Sequence, residues 1–179
     1  MQIFLETERL ILREILPSDD KGMFELDSAP EVQRFLGNKP IKSIQEARQM
    51  IAFIRSQYQE NGIGRWAVVE KESNSFVGWA GLKLVKEKIN DHINFYDLGY
   101  RLIKRYWGKG YATEAANVSL KYGFEQIGLE QVYGMCDAEN VASRNVLEKV
   151  GLKRIETFDL NGVAHNWFEL SKPSIQCID

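Results

Sequence analysis

Hydrophobic residues along this chain change their spacing several times, and each change marks the border of a predicted element. Residues 8–14, Glu-Arg-Leu-Ile-Leu-Arg-Glu, alternate in polarity and predict a first strand. Pro17-Ser18-Asp19-Asp20 ends it, with Ser18 as the expected N-cap of a short helix. A second helical piece is predicted over 31–36, closed by Gly37. The clearest helix follows: Ser43 and Glu46 form a capping box, Ala47, Met50, Ile51, Ile54 and Tyr58 recur at helical spacing, and Asn61-Gly62 ends it. Strands are then predicted over 64–70, 76–85 and 94–103, the last with Tyr96, Leu98, Tyr100 and Leu102 on one face. A glycine loop leads into a helix over 111–127 that stops at Gly128. A strand over 130–136 and a helix over 140–150 follow, closed by Gly151. Two final strands, 153–160 and 163–170, are joined by Asn161-Gly162, whose residues tolerate the positive φ a two-residue hairpin needs. This order predicts an α/β chain with helices on both sides of a sheet.

Length and composition narrow the classes. At 179 residues the chain suits one domain, 1–179, and its 44% hydrophobic and 27% charged residues are those of a globular protein. A net charge of -2 argues against a nucleic-acid partner held by counterion release. No apolar run is long enough to span a membrane, and the first residues carry no basic flank before an apolar stretch, which predicts no membrane partner and no secretion signal. Cys136 and Cys177 have neither metal-pair nor redox-pair spacing and read as reduced cytoplasmic thiols without a role. His92 and His165 are far apart, so no metal site is expected.

The segment from Ile103 through Arg105-Tyr106-Trp107-Gly108-Lys109-Gly110 connects a strand to a helix. Unpaired amides at a helix start, the helix dipole and two glycines that admit a ligand to the backbone suit a pyrophosphate, and Arg105 and Lys109 add charge. The other reading is a tight solvated turn. The spacing does not fit a P-loop, and Thr113 stands where a dinucleotide fingerprint needs its third glycine.

These residues, with Tyr111-Ala112-Thr113-Glu114-Ala115, resemble the GNAT superfamily of acetyl-coenzyme A-dependent N-acetyltransferases, and within it the ribosomal-protein-alanine N-acetyltransferase-like branch. Thr7 to Arg13, Asp97-Leu98-Gly99-Tyr100, Asn140 to Arg144 and Glu148 to Leu152 carry the same likeness in the same order. The resemblance implies a mixed, mostly antiparallel sheet of about seven strands flanked by helices. Its central strands would splay near residues 97–103 to admit the pantetheine arm of the cosubstrate, acetyl-coenzyme A.

The resemblance also implies roles. Arg105, Gly108, Lys109, Gly110, Tyr111 and Ala112 would hold the pyrophosphate, and the backbone of Leu102 and Ile103 would pair with pantetheine as an added strand does. Asn140 would touch pantetheine or simply cap its helix. Ser143 would supply a hydrogen bond or proton to the departing sulfur, Leu147 standing where many members have tyrosine. The alternative is a helix-surface serine. Asp97 is the candidate general base, or else an exposed strand carboxylate. Glu114 suits a structural hydrogen bond. Trp66, Trp79 and Trp167 read as packing residues, and Trp107 could line the acceptor entrance.

The implied reaction transfers acetyl to a primary amine by direct attack in a ternary complex. Acceptors of the family include a ribosomal-protein N-terminus, polyamines, antibiotics and amino acids. Glu25, Asp27, Glu31, Glu87 and Asp91 are candidates for drawing in a cationic acceptor. A homodimer stays open. So do a non-catalytic acyl-coenzyme A sensor or interaction module on the same fold, and a nucleotide-binding protein.

Overall fold

A computed structural model describes residues 3–172, so Cys177 lies outside the described residues. The strands are β1 (Ile3–Glu6), β2 (Leu10–Arg13), β3 (Trp66–Glu70), β4 (Ser75–Val85), β5 (Phe95–Leu102), β6 (Gln131–Asp137), β7 (Lys153–Leu160) and β8 (Val163–Ser171). The helices are α1 (Asp20–Ser28), α2 (Pro30–Gln33), α3 (Ile44–Asn61), α4 (Tyr111–Tyr122) and α5 (Val141–Lys149). One eight-stranded sheet takes the order β1-β2-β3-β4-β5-β6-β8-β7. Its named pairs are antiparallel except the parallel β5–β6 pair.

The sheet has one strand more than the expected seven. The stretch read as a first strand opens with a turn, where the Thr7 hydroxyl accepts the Leu10 N–H at 2.9 Å, and the additional strand precedes that turn. β2 lies beyond it and β1 before it. Ser18 is not a cap. The Asp19 carboxylate instead accepts the Leu16 N–H at 2.8 Å and two bonds from Arg13 at 2.8 and 2.7 Å. The second helical piece starts at Pro30, where proline's fixed φ suits a first turn, and is only one turn long. The long helix predicted to Gly128 is α4 followed by a π-helical turn over Gly123–Ile127, and Gly128 ends it in the left-handed conformation. The Ser43 cap, accepting from Glu46 N–H, and the Asn161-Gly162 hairpin, both residues at positive φ, stand as the sequence predicts.

The core joins strands and helices. Leu10 and Leu12 of β2, Val68 of β3 and Leu82 of β4 are fully buried with Met23 and Leu26 of α1, Ala47 of α3 and Ala115 and Ala116 of α4. A smaller cluster of Val85, Phe95 and Trp167 closes the other end of the central strands. Among the described residues no helix is long and apolar enough to cross a membrane.

Glu114 fixes the start of α4 against the β1–β2 turn. It accepts from Thr7 Oγ1 at 2.5 Å, Arg9 N–H at 3.2 Å and Arg9 Nε at 2.8 Å, which is the structural hydrogen bonding expected of it. Burial opposes ionisation, but the bonds from Thr7 and Arg9 and the Arg9 charge outweigh it and hold the carboxyl below its ordinary 4.5. A lowered acid contributes stability above its unfolded value and loses it as pH falls through the folded one. Glu114→Gln should therefore cost about 1–2 kcal/mol in urea unfolding at pH 7. The gap to wild type should close as pH falls below 4.5. A gap that widens on acidification would refute this account.

Candidate active site

β5 pairs with β4 along its whole length, from Gly78–Leu102 to Val85–Phe95, yet meets β6 only at Asp97–Tyr133. β6 is fully paired on its other side with β8. Past Asp97 the two central strands therefore diverge, and a cleft of about 900 Å³ opens between them. The splay lies where the resemblance implied it.

The glycine loop forms one end. Gly108 and Gly110 have φ of 74° and 81°, a region that costs a side-chain-bearing residue. Gly110 caps α4, and the first helical bond runs from Glu114 N–H to Gly110 O at 3.0 Å. The amides before it have no partner within the helix, and Gly108, Gly110, Tyr111, Ala112 and Thr113 line the cleft. A diphosphate fits such a cradle.

The basic side chains are placed differently from the expectation. Arg105 turns to an ion pair with Glu25, and Lys104 pairs with Glu31 at 2.5 Å. The Lys109 ammonium rests 5.1 Å from the Tyr106 ring, and its carbonyl accepts from Arg9 at 3.0 Å. Arg105, Lys109 and Ile103 thus do not line the cleft, whereas Leu102 does. The Leu102 carbonyl accepts the Trp107 indole N–H at 2.7 Å, and Trp107, 47% exposed, stands at the rim.

α5 supplies the facing wall. Asn140 caps it, its Oδ1 accepting the Ser143 N–H at 3.0 Å, and both residues line the cleft. Asn140 is thus a cap that also borders the cavity. Ser143 faces the cleft and meets the Tyr100 hydroxyl. Cys136 lies beside them, 6% exposed, and borders the cavity.

At the far end Asp97 is 7% exposed and ion-paired with Arg65 Nη2, so it is not an exposed strand carboxylate. Arg65 Nη1 also donates to the Asp97 and Gly81 carbonyls. A Cβ on Gly99 would lie 2.5 Å from Arg65 Nη2, so glycine there leaves room for the guanidinium. The other Asp97 oxygen is buried without a hydrogen-bond partner among the described residues. Burial pushes this carboxyl above its ordinary value, while the charges of Arg65 and Lys83 pull it back. Trp79 is also part of this wall, with the guanidinium carbons of Arg101 and Arg65 at 4.9 and 5.5 Å from its ring.

Four of the five carboxylates considered for a cationic acceptor are already paired: Glu25 with Arg105, Asp27 with Arg101, Glu31 with Lys104 and Asp91 with Lys88. The cleft is lined by Arg34, Arg65, Arg101, Lys104 and Lys149 against Glu31, Asp97 and Asp137. His165 borders it too. Among the described residues there is no group of three or more side chains arranged to hold a metal. The sequence reading missed Arg65, Trp79, Tyr100, Cys136 and His165 as wall residues. Gly99 next to Asp97 was the one local signal that a side chain crosses β5 there.

Comparisons with known proteins agree with this geometry. The model of the acetyltransferase (GNAT) domain family matches residues 9–153. An uncharacterized N-acetyltransferase of Bacillus subtilis, YoaA, is 31% identical over 150 residues, covering 84% of this chain and 82% of its own. A structure of a putative ribosomal-protein-serine acetyltransferase from Vibrio cholerae superposes with a TM-score of 0.75 at 25% identity, covering 93% of this chain and 96% of that one. Spermidine N-acetyltransferase from Vibrio cholerae, solved with coenzyme A and spermine, shares the fold with a TM-score of 0.73 at 19% identity over 92% and 96% of the two chains.

Cys136 offers a chemical readout of the cleft. Burial raises its thiol to about 11, with hydrogen bonding to Ser143 and Asn166 working the other way. Only about 10⁻⁴ of it is then thiolate at pH 7. Alkylation of Cys136 in the native protein, followed by peptide mass mapping, should be slow at pH 7 and rise about tenfold per pH unit up to pH 9. Reaction at pH 7 as fast as that of a free thiol would contradict the placement.

Proposed function

From the premise that the chain belongs to the GNAT family of acetyl-coenzyme A-dependent N-acetyltransferases, we propose that its 179 residues act as one catalytic domain transferring acetyl to a primary amine. One observation carries the reading: the splayed cleft joins an amide cradle at the start of α4 to a serine and a buried carboxylate. The cosubstrate supplies a thioester whose carbonyl carbon accepts the amine nitrogen while the C–S bond breaks. Gly108, Gly110, Tyr111 and Ala112 bind the diphosphate through their backbone amides. Leu102 and Asn140 flank the pantetheine arm. Ile103, Arg105 and Lys109 contribute through their backbone, while the Arg105 and Lys109 side chains turn to Glu25 and the Tyr106 ring.

The amine must shed a proton before it can attack, and the thiolate must gain a hydrogen bond as it leaves. Ser143 donates to the sulfur. Asp97, raised by burial and holding one unpartnered oxygen, takes the amine proton, directly or through water. Transfer runs by direct attack in a ternary complex, because Cys136 is too weakly ionised to serve as an acyl carrier.

Calorimetry should detect acetyl-coenzyme A binding, and replacing both Gly108 and Gly110 by valine should weaken it at least about tenfold. Thiol release should accompany acetylation of an amine. Binding without turnover on any amine would leave a sensor and defeat the enzyme reading.

The acceptor carries one positive charge, its reacting amine. Of the carboxylates that could gather a polycation, Glu25, Asp27 and Glu31 are ion-paired, and cationic side chains outnumber carboxylates along the cleft. In a panel matched for size, a monoamine or a peptide N-terminus should show a higher kcat/KM than a triamine. A triamine preferred by about tenfold would overturn this assignment.

A further inference from the structure

We propose that Tyr100 is a positioning residue that sets the Ser143 hydroxyl, and this rests on the reading that Ser143 serves the departing sulfur. Tyr100 sits on β5 opposite Ala80 of β4, at the level where β5 has lost its pairing with β6. Its phenol crosses the gap to the first turn of α5, 43 residues away in sequence.

Counting hydrogens fixes the direction of each bond. The phenol has one hydrogen, and the Ser143 carbonyl at 2.8 Å can only accept it. The hydrogen between Tyr100 Oη and Ser143 Oγ, 3.2 Å apart, must then come from the serine. Ser143 is therefore held at its N–H by Asn140, at its carbonyl by Tyr100, and at its hydroxyl by the same Tyr100 oxygen. A serine rotor otherwise has three staggered wells. Tyr100, with the Cys136 thiol as the hydroxyl's other neighbour, favours one of them before any ligand arrives.

Tyr100 is not the proton source. Burial pushes its phenol far above the ordinary tyrosine value, so a buried tyrosinate would be costly. A proton passed to the sulfur through Ser143 would have to leave that anion behind. Tyr100 acts as a fixed partner instead, and when the serine turns its hydrogen to the sulfur, the Tyr100 bond to the carbonyl keeps α5 in place.

The test is a double-mutant cycle on acetyl transfer with wild type, Tyr100→Phe, Ser143→Ala and the double variant. Phenylalanine keeps the ring and removes only the hydroxyl. Tyr100→Phe should lower kcat roughly tenfold with the KM for acetyl-coenzyme A within about twofold. It should add nothing further in the Ser143→Ala background. Additive losses, or a raised KM with kcat unchanged, would overturn the proposal. A second readout does not depend on turnover. A Tyr100 hydroxyl proton held at the Ser143 carbonyl should be visible by NMR, absent in Tyr100→Phe and shifted in Ser143→Ala. No shift in Ser143→Ala would sink the positioning role, whereas the expected shift in a protein without turnover would fault only the enzymatic reading.

Discussion

The separation of β5 from β6 is the constraint on which the rest of the structure turns. Within a sheet each interior strand satisfies its backbone on both sides, but here two adjacent strands are each fully paired on one side and share a single position on the other. Past Asp97 the facing edges need partners that the sheet does not supply. The Trp107 indole takes the Leu102 carbonyl. α5 fills the far side with its capped first turn, and Tyr100 spans the gap to it. An extended ligand laid along the remaining edge would complete the sheet as an added strand does.

At the narrow end of that opening stands the Arg65–Asp97 pair. Removing two charges from water is expensive, and a buried pair often contributes little net stability against apolar residues of equal volume. The chain nonetheless puts glycine at 99 so that Arg65 can lie across β5, and spends the guanidinium on two carbonyls and one carboxylate oxygen. The second carboxylate oxygen keeps its lone pairs free. On the function proposed above, that oxygen is the acceptor for an incoming N–H. Trp79 and Arg101 then extend the same wall towards the mouth of the cleft.

Local backbone geometry was legible in the sequence, and long-range pairing was not. Gly108 and Gly110, the side-chain caps Ser43 and Asn140, and Asn161-Gly162 shape backbone within a few residues of themselves, so type and spacing were enough. Arg105 illustrates the opposite case. Its charge was visible, but its direction is decided by Glu25 on α1, 80 positions earlier in the chain. Asp97 looked like an exposed strand residue because its partner lies 32 residues away. β1 escaped because four residues beside an unrecognised turn carry almost no periodicity. Cys136 and His165 reach the cleft only through the pairing of β6 with β8.

The neighbouring hydroxyl and thiol of Ser143 and Cys136 frame the choice between two routes of acyl transfer. A covalent route needs a thiolate, and burial leaves about one Cys136 thiol in 10⁴ ionised at pH 7. Activation would require a nearby cation or a paired base. Asn166 and Ser143 offer only neutral hydrogen bonds, and the Arg144 charge does not offset the burial that raises the thiol. A free amine acceptor, by contrast, needs only to lose one proton to become a strong nucleophile, and a carboxylate raised towards neutrality is suited to take it. Burial raises both the Cys136 thiol and the Asp97 carboxyl, and on the function proposed above this disfavours a thiolate acyl carrier and suits a carboxylate that accepts a proton.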